Sequence, residues 1–172
     1  MNIAVPLQTI TVGVVVERSK SASPWGDFLW RPVSALSGAP AMPPWTKLSD
    51  DGERATFFAG VADIELHRTE TENYRGNVMS GAPLLWVVLR PSEEKMPYAL
   101  LLVTADPAEG EAMTEAGNDL VDTVPMPEAI QRAVADFVAE HHVERAFSKR
   151  QRDRADPEAL GRRISTPDEE QL

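Results

Sequence analysis

Cysteine is absent from all 172 residues of the chain, and histidine occurs only three times. The missing thiols exclude disulfide bonds, thiolate nucleophiles and cysteine-ligated iron–sulfur clusters. Any metal would have to be held by histidines and carboxylates, and the sequence shows no spacing typical of such a site. Because proteins of oxidising compartments usually contain disulfides, we expect this protein to reside in the cytoplasm.

Long hydrophobic runs are also missing. No segment approaches the roughly 20 consecutive apolar residues with which a helix crosses a membrane. Residues 1–7 lack the basic region and the apolar stretch of a secretion signal. We therefore expect a protein that has no membrane partner and is not exported.

The familiar cofactor-binding and catalytic motifs are absent as well. The chain contains no Gly-x-x-x-x-Gly-Lys-Ser/Thr loop, no Gly-x-Gly-x-x-Gly loop after a strand and no Gly-x-Ser-x-Gly nucleophile elbow. These absences argue against nucleotide-phosphate binding by such loops and against serine hydrolase chemistry. We expect no cofactor, no bound metal and no catalytic residue, and hence a non-enzymatic role.

The histidines leave one alternative to that role open. His141 and His142 are adjacent, so their side chains would project about 100° apart on a helix and could not readily chelate one ion. At a helix C-terminus they would complement the helix dipole. His67 precedes four residues with ionisable side chains: Glu70, Glu72, Tyr74 and Arg75. This cluster is typical of a salt-bridged turn, and the alternative is that it lines the pocket of a small-molecule- or cofactor-binding protein or of an enzyme.

Charge of one sign is present in excess, since 27 acidic and 17 basic residues give a net charge of −10. The basic residues gather near the C-terminus, where residues 145–163 hold seven basic side chains and three acidic ones. We predict a single domain over residues 1–142 and a flexible, arginine-rich tail over residues 143–172. The acidic body disfavours capture of nucleic acid, whereas the tail could contact a partner protein or a second copy in a homo-oligomer.

Apolar residues alternate with polar ones along the first part of the chain, as they do on strands that bury one face. Residues 9–17 follow this pattern. In residues 28–36, Pro32 indicates an edge strand or a bulge because it has no amide hydrogen to donate. An irregular, proline-rich link follows, and residues 54–58 and 62–66 are interpreted as the two strands of a hairpin. Such alternation is typical of antiparallel sheets.

Two nearly continuous apolar runs, residues 84–89 and 98–103, are expected to form the centre of the sheet, with Trp86 in the core. Asp106 and Pro107 suit the cap and the first turn of a helix, and a last helix should begin near Pro127 and pack against the sheet. The sequence therefore predicts an α+β domain: a mostly antiparallel sheet or partly closed barrel of five to seven strands, with C-terminal helices and an extended tail.

Three of the four tryptophans lie in or beside proline-rich connections. There, a large rigid ring either locks a loop onto the sheet or anchors a partner protein. If such rings anchor a partner protein, Trp25 and Trp30 are candidate partner-binding residues. The tail adds five further candidates: Phe147, Lys149, Arg150, Arg152 and Arg154.

Several short strings stand in the order found in a known family: Trp30-Arg31-Pro32-Val33, Trp86-Val87-Val88-Leu89-Arg90-Pro91, Val103-Thr104-Ala105-Asp106-Pro107 and His141-His142-Val143-Glu144-Arg145. With these strings, the chain resembles, over nearly its whole length, a family of small bacterial proteins of undefined function. Members are typically encoded beside molybdenum- or tungsten-dependent formate dehydrogenases and their maturation factors. The resemblance thus implies a non-enzymatic accessory or assembly protein whose partner is a formate dehydrogenase subunit or a maturation factor.

Overall fold

The structure, a computed structural model, describes residues 5–143. These residues form seven strands in two antiparallel sheets, together with three α-helices, and within them the sheets do not close into a barrel. The predicted α+β class and its mostly antiparallel architecture are confirmed. The strands are β1 (Gln8–Lys20), β2 (Phe28–Ser37), β3 (Thr46–Asp50), β4 (Arg54–Leu66), β5 (Leu84–Pro91), β6 (Tyr98–Thr104) and β7 (Leu120–Pro125). The helices are α1 (Thr71–Val78), α2 (Pro107–Glu115) and α3 (Glu128–His141), and a short 3-10 helix, Arg68–Glu70, precedes α1.

The first sheet has four strands in the order β2-β1-β4-β3. In its interior, β1 buries Val12, Val14 and Val16 completely on one face, as the alternating sequence predicts. At one edge, β2 pairs with β1 through a register shift beside Pro32, where a missing amide hydrogen is tolerated. Both features predicted for β2, an edge position and a bulge, are confirmed.

Strand β4 corrects the predicted hairpin. Residues 54–58 and 62–66 belong to one continuous strand that pairs with β1 along its length. The interruption between them is a β-bulge, in which Val14 pairs with Gly60 and Val15 pairs with Phe58. Gly60 has a φ of +133°, which favours glycine because it has no Cβ. The glycine therefore marks a bulge within the strand and not a turn.

Two strands lie in segments for which the sequence indicates no strand. β3 occupies the end of the link predicted to be irregular and pairs with β4 at the sheet edge. β7 pairs with β5 at an edge of the second sheet. β3 is short and mostly polar, and β7 has its polar residues Asp122 and Thr123 side by side, so neither segment shows clear alternation.

The second sheet has three strands in the order β6-β5-β7. The central position of β5 is confirmed, and its inner face is fully buried at Leu85, Val87 and Leu89. The prediction that residues 98–103 are also central is wrong, because β6 is an edge strand. β6 lies against β4 of the other sheet and packs the partly buried Tyr98 and Leu100 onto the common core.

The prediction that Trp86 belongs to the core is wrong as well. Because side chains alternate along a strand, Trp86 points away from the face that carries Leu85 and Val87, and it is only partly buried. α2 covers this outer face of β5, and Gly110 of α2 lies directly on the Trp86 ring. The tryptophan thus supports a helix on the outside of the sheet.

The starts of α2 and α3 are confirmed. Asp106 accepts a hydrogen bond from the amide of Ala108 at 2.9 Å, and Pro107 occupies the first turn of α2. α3 begins at Glu128, directly after Pro127. It completes the core between the two sheets with its apolar face: Ile130, Val134 and Phe137. No helix of the described part of the chain is long and apolar enough to cross a membrane.

The segment predicted to be a salt-bridged turn is helix α1. Thr71, Tyr74 and Asn77 recur at a spacing of three and form its buried face. Asn77 joins α1 to the second sheet, because its Nδ2 donates to the carbonyl oxygens of Leu84 and Ala105, both at 2.8 Å. Buried side chains therefore hold α1 against the second sheet.

Candidate functional site

The end of the β1–β2 hairpin exposes three large apolar side chains. Trp25 is 85% exposed, Leu29 is 60% exposed and Phe28 is 45% exposed. The turn itself is built by two serines: Ser21 accepts a hydrogen bond from the amide of Ser23, and Ser23 accepts one from the amide of Trp25. These hydrogen bonds fix the backbone of the turn while its tryptophan ring stays in solvent.

A cation–π contact fixes Phe28 beneath this turn. The guanidinium carbon of Arg18 lies 4.5 Å from the centre of the Phe28 ring and 5.3 Å from that of Phe57. Arg18 also forms a 4.0 Å ion pair with Asp50. Arg18 therefore holds the Phe28 ring in place, whereas Leu29, the next residue of β2, points to the opposite face of the strand.

Trp30 has a different environment from Trp25. Its ring is partly buried and lies 5.6 to 6.4 Å from the rings of Trp45, Phe57 and Tyr98. Trp45 has a φ of +64°, which is uncommon for a residue other than glycine. The contact between Trp30 and Trp45 joins the link before β3 to the first sheet. Of the two candidate partner-binding tryptophans, Trp25 and Trp30, only Trp25 has an exposed ring. The five candidates of the tail lie outside the described residues.

The predicted His67 cluster converges only in part. His67 and Glu70 line a cavity of about 420 Å³, together with two acidic residues at the start of α2, Asp106 and Glu109. His67 also lies 3.5 Å from Glu65, measured between Nε2 and Oε2. The α2 carboxylates are absent from the predicted cluster because about forty residues separate them from His67 in the sequence.

The other three members of the cluster point elsewhere. Tyr74 is 1% exposed and structural: its hydroxyl accepts a hydrogen bond from the amide of His67 at 3.0 Å and donates to the carbonyl oxygen of Glu65 at 3.4 Å. Burial raises the pKa of Tyr74 to about 12, so its hydroxyl stays protonated at neutral pH. Arg75 is exposed, and Glu72 lines a separate groove.

Electrostatics distinguish Glu109 within the cavity. Burial of its carboxylate raises its pKa, and the nearby charge of Asp106 acts in the same direction. A hydrogen bond from Thr104 at 3.3 Å and the proximity of His67 lower the pKa of Glu109 and only partly offset these effects. A carboxyl group with a raised pKa is a candidate for acid–base chemistry. Among residues 5–143, no group of three or more His, Asp or Glu side chains is arranged to hold a metal ion.

The two remaining histidines lie at the end of α3, as predicted. His141 stacks on Phe137 with ring centres 4.6 Å apart. His142 follows the helix, and its Nδ1 lies 3.1 Å from Oγ1 of Thr71 at the start of α1. These contacts give both histidines a structural role.

Comparison with known proteins places the chain in a family. No curated protein and no solved structure matches it. The family model for proteins of unknown function, DUF3305, matches residues 11–151. A family of undefined function is thus confirmed, while the link to formate dehydrogenases stays a prediction. Because the match covers most of the sequence, the chain belongs to the DUF3305 family.

Proposed function

We propose that this protein is a non-enzymatic accessory protein that acts by binding another protein. Its partner is a subunit of a molybdenum- or tungsten-dependent formate dehydrogenase or a maturation factor of that enzyme. The observation that carries the binding role is the exposed apolar end of the β1–β2 hairpin, formed by Trp25, Phe28 and Leu29.

Large exposed apolar side chains at the end of a hairpin favour protein recognition. Large exposed rings are costly in water, and tryptophan dominates the binding energy of many interfaces when a partner buries it. The hydrogen bonds of Ser21 and Ser23 hold the backbone of the turn in place before binding, and the contact with Arg18 holds the Phe28 ring. Less conformational entropy is then lost on association, which favours affinity.

The choice of partner rests on the resemblance described above, whose members are typically encoded beside formate dehydrogenases. Cytoplasmic residence is part of the same proposal, and contact of the tail with a second copy of the chain is an alternative to contact with the partner. The tail candidates, above all Arg150, Arg152 and Arg154, would add contacts to the same partner.

Affinity capture from the native cell tests this function. Full-length tagged protein should recover a formate dehydrogenase subunit or maturation factor. The double variant Trp25→Ala/Leu29→Ala should recover at least about 10-fold less, because a tryptophan hot spot contributes about 2 kcal/mol or more. Leu101→Ala is the matched control, since Leu101 is 40% exposed on β6 in the other sheet.

The outcomes separate the parts of the proposal. If the wild-type protein captures no component of the dehydrogenase system, the partner assignment is wrong. Equal capture by the wild type and the hairpin variant would place the binding surface elsewhere. A full-length variant with alanine at positions 150, 152 and 154 tests the tail in the same assay.

A second function is favoured by the cavity beside His67. Its convergent carboxylates, with Glu109 at a raised pKa, suit a small cationic or hydroxyl-bearing ligand, and such perturbed groups cluster at functional sites. A thermal-shift screen of small amines and polyols would test it. A true ligand should raise the melting temperature of the wild type and have no effect on Glu109→Gln. A screen without any such compound would rule this function out.

A further inference from the structure

A groove of about 510 Å³ runs between α1 and α2 on the outer face of the second sheet. Glu72 and Gly76 of α1 form part of one wall, and Ala108 and Glu111 of α2 form part of the other. Trp86 of β5 lies in the floor. The groove adjoins the cavity beside His67, since Ala108 lines both.

Nothing in the described part of the chain requires glycine at position 76. Its φ is not in the left-handed region, and a Cβ built on it would meet none of the described atoms within 4 Å. Glycine inside a helix lowers the stability of that helix relative to alanine. Helix α1 therefore carries an unfavourable residue at a position that lines the groove. Close approach of another chain to the α1 backbone would explain it.

The floor of the groove offers apolar surface. The edge of the Trp86 ring is accessible because α2 covers only part of it through Gly110. Asn77 also lines the groove, but its side chain is already engaged: Nδ2 donates to two carbonyl oxygens, and Oδ1 accepts from the amide of Leu84 at 3.0 Å. Recognition at the floor therefore depends on contact with carbon atoms.

The walls supply negative charge. Glu72 and Glu111 are exposed on opposite helices, and in the described part of the chain neither carboxylate takes part in a hydrogen bond or an ion pair. Among residues 5–143, no basic side chain lines the groove, and the neighbouring cavity adds Glu70 and Glu109. An apolar floor between two carboxylates complements a long side chain with an aliphatic stem and a cationic head.

We propose that this groove binds an arginine side chain from an extended segment of a partner protein. The arginine stem lies against Trp86 and Ala108, and its guanidinium reaches Glu72 and Glu111, while the partner backbone passes over Gly76. Arginine suits the groove better than lysine because its planar, weakly hydrated head stacks on aromatic rings and pairs with carboxylates through two donors. The proposal rests on the protein-binding function above and names the chemistry of the partner.

A pair of small probes tests the groove without knowledge of the partner. Full-length 15N-labelled protein is titrated with N-acetyl-arginine amide and, separately, with N-acetyl-citrulline amide, which has the same shape without the charge. The arginine probe should shift the amide signal of Gly76 and the indole N–H signal of Trp86 in NMR spectra. The citrulline probe should shift them far less at equal concentration.

Variants identify the groups responsible. Glu72→Gln and Glu111→Gln should each weaken binding of the arginine probe about 2- to 5-fold, as expected for one partly exposed ion pair. Glu115→Gln is the matched control, because Glu115 lies on α2 outside the groove lining and should change nothing. Gly76→Gln, which fills the groove at a position with free space, should abolish the shifts while the remaining spectrum stays that of the folded protein.

Equal shifts by the two probes, equal weakening by Glu115→Gln, or unchanged binding to Gly76→Gln would each overturn the proposal. Its failure is distinguishable from that of the proposed function. Capture of a dehydrogenase component without any arginine binding would leave the accessory role intact and remove the groove from it. Arginine binding without such capture would support the groove and contradict the partner assignment.

Discussion

Two glycines that lie in helices of the described part of the chain are expected to respond oppositely to substitution by alanine. Gly76 in α1 and Gly110 in α2 both lie inside helices, and neither has a positive φ. Alanine is better than glycine in a helix interior by about 1 kcal/mol. Helix propensity alone therefore predicts that both Gly→Ala variants are stabilised, and the packing of each position decides whether that gain survives.

At Gly110 the gain is lost to overlap with Trp86. A Cβ at this position would lie 2.7 Å from the Trp86 Cβ and closer still to the ring atom Cγ, whereas carbon atoms in contact prefer about 3.5–4.0 Å. Forcing extra carbon into such a contact costs about 1–3 kcal/mol or more. Trp86 cannot easily retreat, because its backbone is paired on both sides in the centre of the sheet. We expect Gly110→Ala to lower the free energy of unfolding by about 1–2 kcal/mol.

At Gly76 the same methyl group meets no atom within 4 Å. The substitution then keeps the benefit of helix propensity and of reduced freedom in the unfolded chain, about 0.4–1 kcal/mol. Gly76→Ala should therefore raise the free energy of unfolding. The two variants should differ by about 2 kcal/mol in total, with the wild type between them.

Urea unfolding followed by tryptophan fluorescence and by far-ultraviolet circular dichroism measures this difference. Coincident transitions and an unchanged dependence on urea concentration are required for the comparison to report stability alone. In thermal scans, a change of 1 kcal/mol corresponds to about 2–4 °C for a protein of this size. A stabilised Gly110→Ala variant would refute the close approach of α2 to Trp86, and a destabilised Gly76→Ala variant would refute the open groove.

Three further predictions concern the buried polar groups and the cavity. Asn77→Ala should cost about 3 kcal/mol in urea unfolding because it removes three hydrogen bonds to backbone groups, one of them buried and two part-buried. Asn77→Asp should cost at least as much at neutral pH and less in acid, where a protonated carboxyl can donate. Tyr74→Phe should cost about 1–2 kcal/mol in the same assay, since the amide of His67 loses its acceptor while the buried ring is kept. Glu109→Gln should be more stable than the wild type at neutral pH, because a raised pKa means that the fold disfavours the charged carboxylate. The melting temperatures of the two proteins should converge below pH 4.5, the ordinary pKa of a glutamate, because Glu109 is then protonated in both the folded and the unfolded protein. A stability gain that persists in acid would contradict this origin.

The elements predicted correctly from the sequence are those whose local signals agree with their environment. β1 carries Val12, Val14 and Val16 at alternate positions on a fully buried face, and α3 repeats its apolar residues at helical spacing. Asp106 and Pro107 define the start of α2 by their own hydrogen-bonding chemistry. β3 could not be found in this way, because its pairing with β4 involves backbone groups that do not depend on its polar side chains.

The predictions that proved wrong concern residues whose type is compatible with two different structures. Gly60 is compatible with a turn and with a bulge, and only the pairing of β4 with β1 on both sides of it decides between them. Trp86 is equally compatible with both faces of β5. Its place on the outer face depends on Gly110, which lies on another element and alone allows a helix to approach the ring.

The candidate sites show why a cluster in the sequence need not be a cluster in space. If residues 67–75 formed a turn, their polar side chains could converge; in a helix, successive side chains rotate by about 100°. Tyr74 accordingly enters the core, Arg75 faces away from it and Glu72 enters the groove. A helical reading would have predicted that groove wall from Glu72, Gly76 and Ser80, which recur at a spacing of four. The missing signal was a cap: none of the side chains before α1 donates or accepts a capping hydrogen bond, so the sequence does not mark where the helix begins.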